Sequence, residues 1–368
     1  MRILVVTPWY PTVAQPTAGV FVQRDAQLIA THHDVEIVHL VEPQLLTEQD
    51  RVVDADSEVP VHRIPFDRNS PGTYRPAWRR LHPLIEQADL VHTHALPAIA
   101  AFTSRRIGRP WVHSEHWSAV TSRASFNLRG RIFVMFLSRL LRRPDVVTVV
   151  SSFLLEHVGR LRRGTTMIVP SAVPAAVVSA AEHSADRLRL VAVANLVDGK
   201  DPLLAIDTIR ELRRRGVPAE LRWVGDGPLR GRVQGAIADD PSIRLVGTLD
   251  RAGVSAELKR AEIFFLPTRR ETLCLSAIEA ISHGRPVVMG AVGGQRDYVG
   301  PDNGVLVEES SATAYADAII RLSEDFERMS AESVAATVAD RFTPETVLRG
   351  YEEAYRAASA RRREDDRR

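Results

Sequence analysis

Short runs of β-branched and apolar residues alternate with longer segments of mixed polarity along almost the whole chain. Such alternation is typical of parallel α/β sheets, in which a helix follows each strand and covers the sheet. The runs form a first series, Ile3–Thr7, Val35–Val41, Asp89–His92, Trp111–His113, Val146–Val150 and Met167–Val169, and a second series, Leu188–Ala194, Leu221–Val224, Ile243–Val246, Ile263–Leu266, Pro286–Met289 and Val305–Val307. Two doubly wound α/β domains account for both series.

The stretch between the two series, Pro170–Asp186, is rich in Pro, Ser and Ala and carries little charge, as an interdomain connection does. We therefore place a hinge near residues 170–187, and a length of 368 residues at ~150 per domain agrees with two domains. The predicted division is 1–175 for the first domain and 176–345 for the second. Residues 346–368 are predicted to form a helix that packs back on the first domain, with a charged tail that frays into solvent.

Composition excludes several classes of protein. The 48 basic and 46 acidic residues give a net charge of +2, which is too balanced to indicate a nucleic-acid partner. The longest apolar run, Ile132–Leu137, is far shorter than the ~18 residues of a membrane-spanning helix. The N-terminal apolar run ends too soon, at Pro8 and Pro11, for a signal peptide, so we expect a cytoplasmic protein. The single cysteine, Cys274, excludes an internal disulfide and a cysteine cluster for zinc.

Two features favour an anionic ligand. A Pro-rich loop after the first strand ends at Gly19, where a helix begins, and the amides at a helix N-terminus can approach an anion. Lys200 lies in the loop after the first strand of the second series, and its only fellow lysine is Lys259. In a chain so rich in arginine, a role for Lys200 as a compact cation on a diphosphate would explain the choice of lysine. Helices that begin at a glycine, and lysines on the surface, are also common without a ligand.

Known nucleotide-binding fingerprints are incomplete in this chain. Ala194 stands where the leading glycine of a Walker A loop belongs. Gly225 and Gly227 are followed by Gly231, one residue too late for the dinucleotide pattern. The sequence therefore does not predict NAD binding.

Four histidines, His92, His94, His113 and His116, follow two neighbouring strands of the first series. Their spacings would permit a zinc site, but the nearby sequence offers only Glu115 as a further ligand. Structural or substrate-contacting histidines are the favoured interpretation, and we predict no metal.

The segment FFLPTRRETLCLSAIEAISHGRPVVMGAVGG reads as a strand, a loop, a helix stopped by Gly284 and another strand. Seven residues separate Glu271 from Glu279, about 12 Å if the segment is helical throughout, so the two carboxylates cannot share a proton. A helical wheel places Cys274, Ala277, Ile278 and Ile281 on the buried side and Ser276, Glu279 and His283 opposite. Periodicity alone thus predicts that Glu279 is solvated.

Residues 129–143 combine arginines on one helical face with apolar residues on another. An ordinary packed helix with a basic outer face is the favoured interpretation. The alternative is a peripheral contact with an anionic inner membrane surface.

Together these features resemble the retaining glycosyltransferases of family four, which have the GT-B fold of two facing Rossmann-like domains with a cleft between them. The resemblance covers nearly the whole chain. Its most specific part is the Glu-x7-Glu pattern of Glu271 and Glu279, between LPT and EAISHGRPVV and followed by Gly293, Gly294 and Asp297. The glycine loop at Gly19, EHWS around His116, VSSF at Ser151 and NLVDGK before Lys200 occur in the expected order.

The resemblance implies a role for each matching residue. Lys200 would neutralise the donor diphosphate, Glu279 would bind the ribose and Glu271 would lie beside the transferred sugar. His116 would face the sugar and the acceptor. The implied catalytic set is His116, Glu271 and Lys200, and the donor-binding set is Gly19, Asn195, Lys200, Gly225, Glu279 and the backbone amides of Thr272, Leu273 and Cys274.

The chain departs from the family pattern at two places. Asn195 stands where these enzymes usually have an arginine beside the lysine, so Lys200 carries the phosphate alone with help from amides, or Arg269 or Arg270 substitutes. Ser171 and Ala172 replace the Asn-Gly that is usual between the domains.

The resemblance predicts a retaining, metal-independent transfer of a sugar from a UDP- or GDP-linked donor to an acceptor hydroxyl, with no cofactor beyond the nucleotide sugar. The acceptor is open. One alternative is a nucleotide-sugar epimerase or a phosphorylase on the same scaffold, because fold does not fix function. The other is a non-catalytic nucleotide-sugar-binding subunit, which Asn195 makes conceivable.

Overall fold

The computed structural model describes residues 1–47, 58–102, 107–116, 134–135, 137–180, 186–238 and 240–367. The chain divides into two compact units. Unit 1 comprises residues 1–172 and 344–368, and unit 2 comprises residues 173–343. The segment from Pro344 onward therefore belongs to unit 1, although it follows unit 2 along the chain.

Unit 1 contains a parallel sheet of seven strands in the order β3-β2-β1-β4-β5-β6-β7 within the described residues. The strands are β1 (Arg2–Thr7), β2 (Asp34–Val41), β3 (Val61–Pro65), β4 (Leu90–His94), β5 (Trp111–Glu115), β6 (Val146–Val149) and β7 (Thr165–Ile168). The helices are α1 (Val20–Ala30), α2 (Tyr74–Gln87), α3 (Leu96–Ile99), α4 (Ser152–Gly159) and, after unit 2, α11 (Pro344–Asp366). The central strands β4, β5 and β6 are wholly buried, as expected of a sheet covered on both faces.

Unit 2 contains a parallel sheet of six strands in the order β10-β9-β8-β11-β12-β13 within its described residues. The strands are β8 (Leu188–Val193), β9 (Ala219–Val224), β10 (Ile243–Gly247), β11 (Ile263–Leu266), β12 (Val287–Gly290) and β13 (Gly304–Val307). The helices are α5 (Pro202–Arg214), α6 (Arg230–Ile237), α7 (Arg251–Arg260), α8 (Leu275–Ser282), α9 (Ala312–Glu324) and α10 (Ala331–Ala336). The two predicted doubly wound α/β domains are thereby confirmed.

Strand β3 is the one strand of the two sheets that the sequence did not predict. Its sequence, VHRIP, places His62 and Arg63 at its centre, and Pro65 ends it. Because β3 lies at the edge of the sheet, it needs no continuous apolar run.

The strand order reverses once in each sheet, because β1 lies between β2 and β4 and β8 lies between β9 and β11. In open parallel sheets this reversal opens a crevice beyond the carboxyl ends of the two diverging strands, where ligands bind. In unit 1 the crevice is bordered by the loops after β1 and β4. In unit 2 it is bordered by the loops after β8 and β11, which lead to Lys200 and Glu271 respectively.

Helix α11 supplies part of the core of unit 1. One face of the helix, Val347, Tyr351, Ala354, Tyr355 and Ala358, is fully buried. The helix packs against β5, β6 and α1. Helix α11 continues through Asp366 with residues 363–365 exposed, and fraying of the charged tail stays a prediction. Arg361 donates a 3.1 Å hydrogen bond from Nη1 to the carbonyl of Asp145, which ties the basic end of the helix to the sheet.

Residues 129–133 and 136 of the predicted basic helix at 129–143, among them Arg129 and Arg131, lie outside the described residues. Within the described part, Leu137 and Leu141 are buried in unit 1. No helix in the described ranges is both long and apolar enough to cross a membrane. Contact of residues 129–143 with a membrane surface stays a prediction.

We expect Tyr355→Ala to lower the free energy of unfolding of unit 1 by about 3–5 kcal/mol, because it removes a fully buried aromatic ring. Urea denaturation followed by tryptophan fluorescence measures this change in free energy. Only Trp223 of the five tryptophans lies within residues 173–343 of the sequence, so the other four report on unit 1. The control is Arg356→Ala on the exposed face of α11, which should change the free energy by no more than about 0.5 kcal/mol. Equal stabilities of the two variants would contradict a core role for α11.

Candidate active site

The loops after β8 and β11 of unit 2 are hydrogen-bonded to each other. The carbonyl of Gly199 accepts from the Thr268 hydroxyl at 2.9 Å and from the backbone amide of Arg269 at 2.9 Å. A short 3-10 turn, Asp198–Lys200, thereby sits against the start of the loop that carries Glu271. These hydrogen bonds fix the loop that carries Lys200 against the loop that carries Glu271.

Lys200 and Glu271, 71 residues apart in sequence, form an ion pair between Nζ and Oε1. The lysine side chain is 24% exposed and the glutamate side chain 9%. Burial lowers the pKa of Lys200, but the attraction of the Glu271 carboxylate and its hydrogen bond to the ammonium outweigh this effect and leave the pKa raised. The ammonium is therefore charged at neutral pH.

A glycine clamps the backbone at Glu271. Gly293 has φ +88°, and a Cβ at this position would lie 2.1 Å from the carbonyl oxygen of Glu271. Only glycine permits both the left-handed conformation and this close approach. A glycine is therefore required at position 293, after Glu279, because a side chain there would displace the backbone of Glu271.

Thr272, Leu273 and Cys274 lead into the N-terminus of α8. Cys274 is the N-cap residue, in the left-handed region at φ +70°. The Tyr298 hydroxyl donates to the carbonyls of Leu273 at 2.7 Å and Cys274 at 3.3 Å, which fixes this turn. The positive end of the α8 dipole therefore lies beside the Lys200–Glu271 pair, and both favour a bound anion.

Cys274 stays a neutral thiol in this setting. Burial, followed by the nearby Glu271 carboxylate, raises the pKa of its thiol to about 12. It therefore adds no negative charge where an anion would bind.

Glu279 is half-buried on α8. Because α8 begins at Leu275, the segment from Glu271 to Glu279 is not helical throughout, and the 12 Å spacing expected for a continuous helix does not apply. The predicted solvent exposure of His283 is wrong. His283 is the C-cap residue, beyond the regular helix, and its buried ring bonds the Ser255 hydroxyl at 2.9 Å.

Gly225 and Asn195 meet at the top of β8 and β9. A Cβ at Gly225, which has φ +128°, would lie 2.2 Å from the carbonyl oxygen of Ala194. The glycine thus permits close packing of the loop that carries Asn195, and Asn195 itself is exposed.

The two arginines considered as substitutes for the missing family arginine have different surroundings. Arg269 forms an ion pair with Asp201 and its side chain is 60% exposed. The guanidinium of Arg270 lies beside Gly199, with Nε 3.4 Å from where a Cβ would be. Arg270 therefore borders the turn that carries Lys200.

In unit 1, Gly19 caps helix α1. Its φ of +70° and the 2.3 Å that would separate a Cβ from the carbonyl carbon and oxygen of Trp9 both require glycine. The Phe21 ring in the first turn of α1 lies 6.1 Å from the Trp9 ring and 5.0 Å from the ring of His116. The structure thus brings the glycine loop and His116 together at the carboxyl edge of the sheet.

The histidines of β4 and β5 form a buried hydrogen-bonded network. His92 bonds the Tyr355 hydroxyl through Nδ1 at 2.9 Å and the Ser114 hydroxyl through Nε2 at 2.7 Å. His94 Nδ1 lies 3.2 Å from His116 Nε2. Burial, followed by the neighbouring histidines, lowers the pKa of His92 and His94 well below its usual value. Burial, followed by His113, lowers the pKa of His116 to about 3.

Sequence reasoning missed Asp25, which joins this network from α1. The carboxyl group is buried and accepts a 2.8 Å hydrogen bond from the Tyr351 hydroxyl at Oδ2. Burial raises its pKa to about 7, while the Tyr351 hydrogen bond lowers it by less. The available signal was a charged residue on the stripe of α1 that also carries Val22, Ala26 and Ile29, all buried.

Ligand atoms of Asp25, His94 and His116 lie within 4.8 Å of one another. Two ligands of a tetrahedral zinc ion at ~2.0–2.1 Å are about 3.3 Å apart. His94 Nδ1 and His116 Nε2 contact each other directly at 3.2 Å, as hydrogen-bonded imidazoles do.

A cavity of about 220 Å³ opens in unit 1 at the carboxyl ends of β1, β2 and β3. Aromatic rings and polar groups line it together, among them Trp9, Thr12, His39, Phe66 and Arg68. Such a mixture of stacking surface and hydrogen-bonding groups suits a polyhydroxylated ligand.

Two family models match the chain, one in each half. Residues 18–172 match the family described as glycosyl transferase 4-like domain, and residues 187–325 match glycosyl transferases group 1. The putative teichuronic acid biosynthesis glycosyltransferase TuaC of Bacillus subtilis is 26% identical over 88% of this chain and 90% of its own. A 2-deoxystreptamine N-acetyl-D-glucosaminyltransferase of Streptomyces fradiae is 29% identical over 74% and 72%.

Solved structures share the fold at low identity. Sucrose-phosphate synthase from Thermosynechococcus elongatus gives a TM-score of 0.79 at 19% identity over 98% of this chain and 100% of its own. Anabaena HepE in complex with UDP-glucose gives 0.75 at 16% identity over 97% and 100%. The fold is therefore GT-B. Together with the two family matches, it identifies the protein as a GT-B glycosyltransferase.

We expect Gly293→Ala to lower the free energy of unfolding by more than about 1 kcal/mol, because alanine is strained at this φ and its Cβ overlaps the Glu271 carbonyl. Chemical denaturation measures the change. Gly300→Ala is the matched control, because a Cβ there meets open space. If both variants are equally stable, Gly293 does not clamp Glu271.

Proposed function

We propose that this glycosyltransferase moves a sugar from a UDP- or GDP-linked donor to an acceptor hydroxyl, with retention at the anomeric carbon and without a metal ion. The observation that carries the proposal is the Lys200–Glu271 ion pair beside the N-terminus of α8, at the strand-order reversal of unit 2. The nucleotide sugar bound to HepE supports a donor of this chemical class. Retention rests on the resemblance to family four.

The chemical task is to stabilise a diphosphate leaving group as the sugar becomes oxocarbenium-like. The Lys200 ammonium has three N–H donors, so it can bind a phosphate oxygen while it keeps its bond to Glu271. The amides at the start of α8 add donors that are already in place and need no reorganisation during the reaction. A fixed cation and a helix terminus together perform the electrostatic work that a metal ion does in other enzymes.

The two glutamates have separate tasks in this proposal. Glu271, held by Gly293 against the lysine, lies beside the transferred sugar, where its carboxylate orients a hydroxyl and stabilises positive charge at the anomeric centre. Glu279, one turn into α8, accepts hydrogen bonds from the ribose.

Unit 1 contributes Gly19 to the phosphate and His116 to the sugar, as the resemblance implies. We assign the 220 Å³ cavity beyond β1, β2 and β3 to the acceptor, because Trp9 in its lining belongs to the same loop as Gly19 and packs against Phe21. An acceptor that is itself a carbohydrate fits a lining of rings and polar groups.

Lys200→Ala should raise the Kd for the nucleoside diphosphate at least tenfold, because a charge-assisted hydrogen bond contributes ~1.5–3 kcal/mol. Calorimetry with UDP and with GDP measures the change and identifies the base. Lys259→Ala removes the other lysine, exposed on α7, and should leave binding unchanged. An unchanged Kd for Lys200→Ala would remove this residue from the donor site.

Glu279→Gln should mainly weaken binding of the bare nucleoside diphosphate, whereas Glu271→Gln should mainly lower kcat, because its proposed substrate partner is the transferred sugar. Calorimetry and initial rates on both variants separate the two roles. Near-wild-type values for both variants would refute the site as assigned, since surface substitutions change binding and stability little.

Turnover should survive excess EDTA, because lysine and helix-terminal amides supply the charge stabilisation at the diphosphate. The measurement is the initial rate of transfer in excess EDTA, compared with the rate after the chelator has been removed by dialysis. Loss of activity in EDTA that Mg²⁺ or Mn²⁺ restores would contradict the metal-independent mechanism.

A further inference from the structure

A buried chain of polar groups leads from Tyr351 on α11 through Asp25 to the two histidines His94 and His116. Tyr351 donates to Asp25 Oδ2, and His94 Nδ1 contacts His116 Nε2. Between these two links, Asp25 Oδ1 and His94 Nε2 are both buried and have no hydrogen-bond partner in the described part of the chain. Ligand atoms of Asp25, His94 and His116 lie within 4.8 Å of one another.

A limit of 4.8 Å is compatible with groups that are joined directly or through a single water. Two atoms that each bond one water at ~2.8 Å lie about 4.5 Å apart. One water can satisfy a buried carboxylate oxygen and a buried imidazole nitrogen that both lack a protein partner.

We propose that Asp25 and His94 are positioning residues for His116, and that they determine which ring nitrogen of His116 carries its proton. The inference rests on the proposed function, because there His116 faces the transferred sugar.

The proton positions follow from one another. When Asp25 is ionised, His94 carries its proton on Nε2, towards the carboxylate, so His94 Nδ1 accepts a hydrogen bond from Nε2–H of His116. His116 Nδ1 then has a lone pair that accepts from a sugar hydroxyl. When Asp25 is protonated it donates instead, His94 carries its proton on Nδ1 and donates to His116 Nε2, and His116 is protonated on Nδ1. Passing between the two states moves one proton along each link and releases one from His116 Nδ1.

The groups around Asp25 leave both states accessible at neutral pH. Tyr351 and the backbone of Ala172 bond the carboxyl group, and Arg24 attracts it from the same helix. On the facing strands, His92, His113 and His116 surround His94, and burial keeps the imidazoles of His92, His94 and His116 neutral. Burial raises the pKa of Asp25 to about 7, so its charge changes within the physiological range.

The first experiment is the pH dependence of kcat and KM for Asp25→Asn against the wild type. An asparagine amide donates to His94 at every pH, which fixes the protonated-Asp25 arrangement. Wild-type kcat should rise with pH through about 7, whereas the variant should lose this rise. The variant should fall at least tenfold at pH 8.5 and stay within twofold of the wild type at pH 6, with the donor KM little changed. An equal fall at all pH values would show a merely structural role and would overturn the inference.

Two further variants serve as controls. Asp25→Glu keeps a carboxyl group and should retain a pH-dependent kcat with a shifted midpoint. Thr148→Val removes a buried hydroxyl that bonds Ser114 in the same core but lies outside the chain from Asp25 to His116. It should leave the shape of the pH profile unchanged even where it lowers the Tm, and a profile altered as in Asp25→Asn would contradict the inference.

Nuclear magnetic resonance of the full chain with ¹⁵N-labelled histidine reads the tautomers without requiring turnover. His94 and His116 should change tautomer together near pH 7 in the wild type and should not change in Asp25→Asn. If the tautomers in an active Asp25→Asn variant still change near pH 7, Asp25 does not control them and the inference is overturned. A chain that transfers no sugar but shows the tautomer change would refute the proposed function instead. One equivalent of zinc that survives dialysis and shifts both resonances would make the cluster a metal site and overturn the relay.

Discussion

Parallel pairing of the strands decides where chemistry can take place in this protein. Every strand pair in the two sheets is parallel, so successive strands of a sheet end at the same edge. Helices cover the faces of the sheets, which leaves that edge as the region where loops can reach a ligand. At the two reversals of strand order the connecting helices diverge, and the loops that carry Gly19, Lys200 and Glu271 border these positions. His116 follows β5, the neighbour of β4. Loops are crowded at this edge, and three glycines with positive φ, Gly19, Gly225 and Gly293, each permit the close approach of a neighbouring loop.

The two units handle polarity at this edge differently. Unit 2 keeps an ion pair that is largely buried, where the attraction between the two charges outweighs the effect of burial on Lys200. Unit 1 buries its polar groups almost completely and keeps its imidazoles neutral, so that hydrogen bonds replace charge. The division fits the proposed reaction, in which a departing diphosphate needs a fixed cation and a sugar hydroxyl needs directional partners.

The strands and the two-unit organisation could be predicted because they depend on local patterns. Apolar runs such as Ile263–Leu266 identify buried strands wherever they occur, whereas β3, with His62 and Arg63 at the edge of its sheet, has no such run. Periodicity correctly placed the buried face of α8 but misplaced His283, because the wheel assumes a helix that has already ended.

The links that define the candidate site join residues far apart in sequence. Lys200 meets Glu271 across 71 residues, and His92 meets Tyr355 across 263. No local pattern encodes such pairs, because they depend on the order in which strands assemble into a sheet. Family resemblance supplied the identities of Lys200, Glu271 and Glu279, but it gave no indication that Asp25 is tied to Tyr351.

The return of α11 to unit 1 has a consequence for how the protein is made. At ~5–20 residues per second, the ribosome needs roughly 10–30 s to synthesise the stretch of about 170 residues that separates Ala172 from Pro344. During that interval unit 2 can fold, while the nascent first sheet lacks the tyrosines that bond Asp25 and His92 and the apolar stripe that covers β5 and β6. The exposed groove is then open to chaperones or to the wrong helix. Completion of the histidine network is thus a late event in biosynthesis, and a chain that stalls before Pro344 would carry a finished unit 2 and an unfinished unit 1.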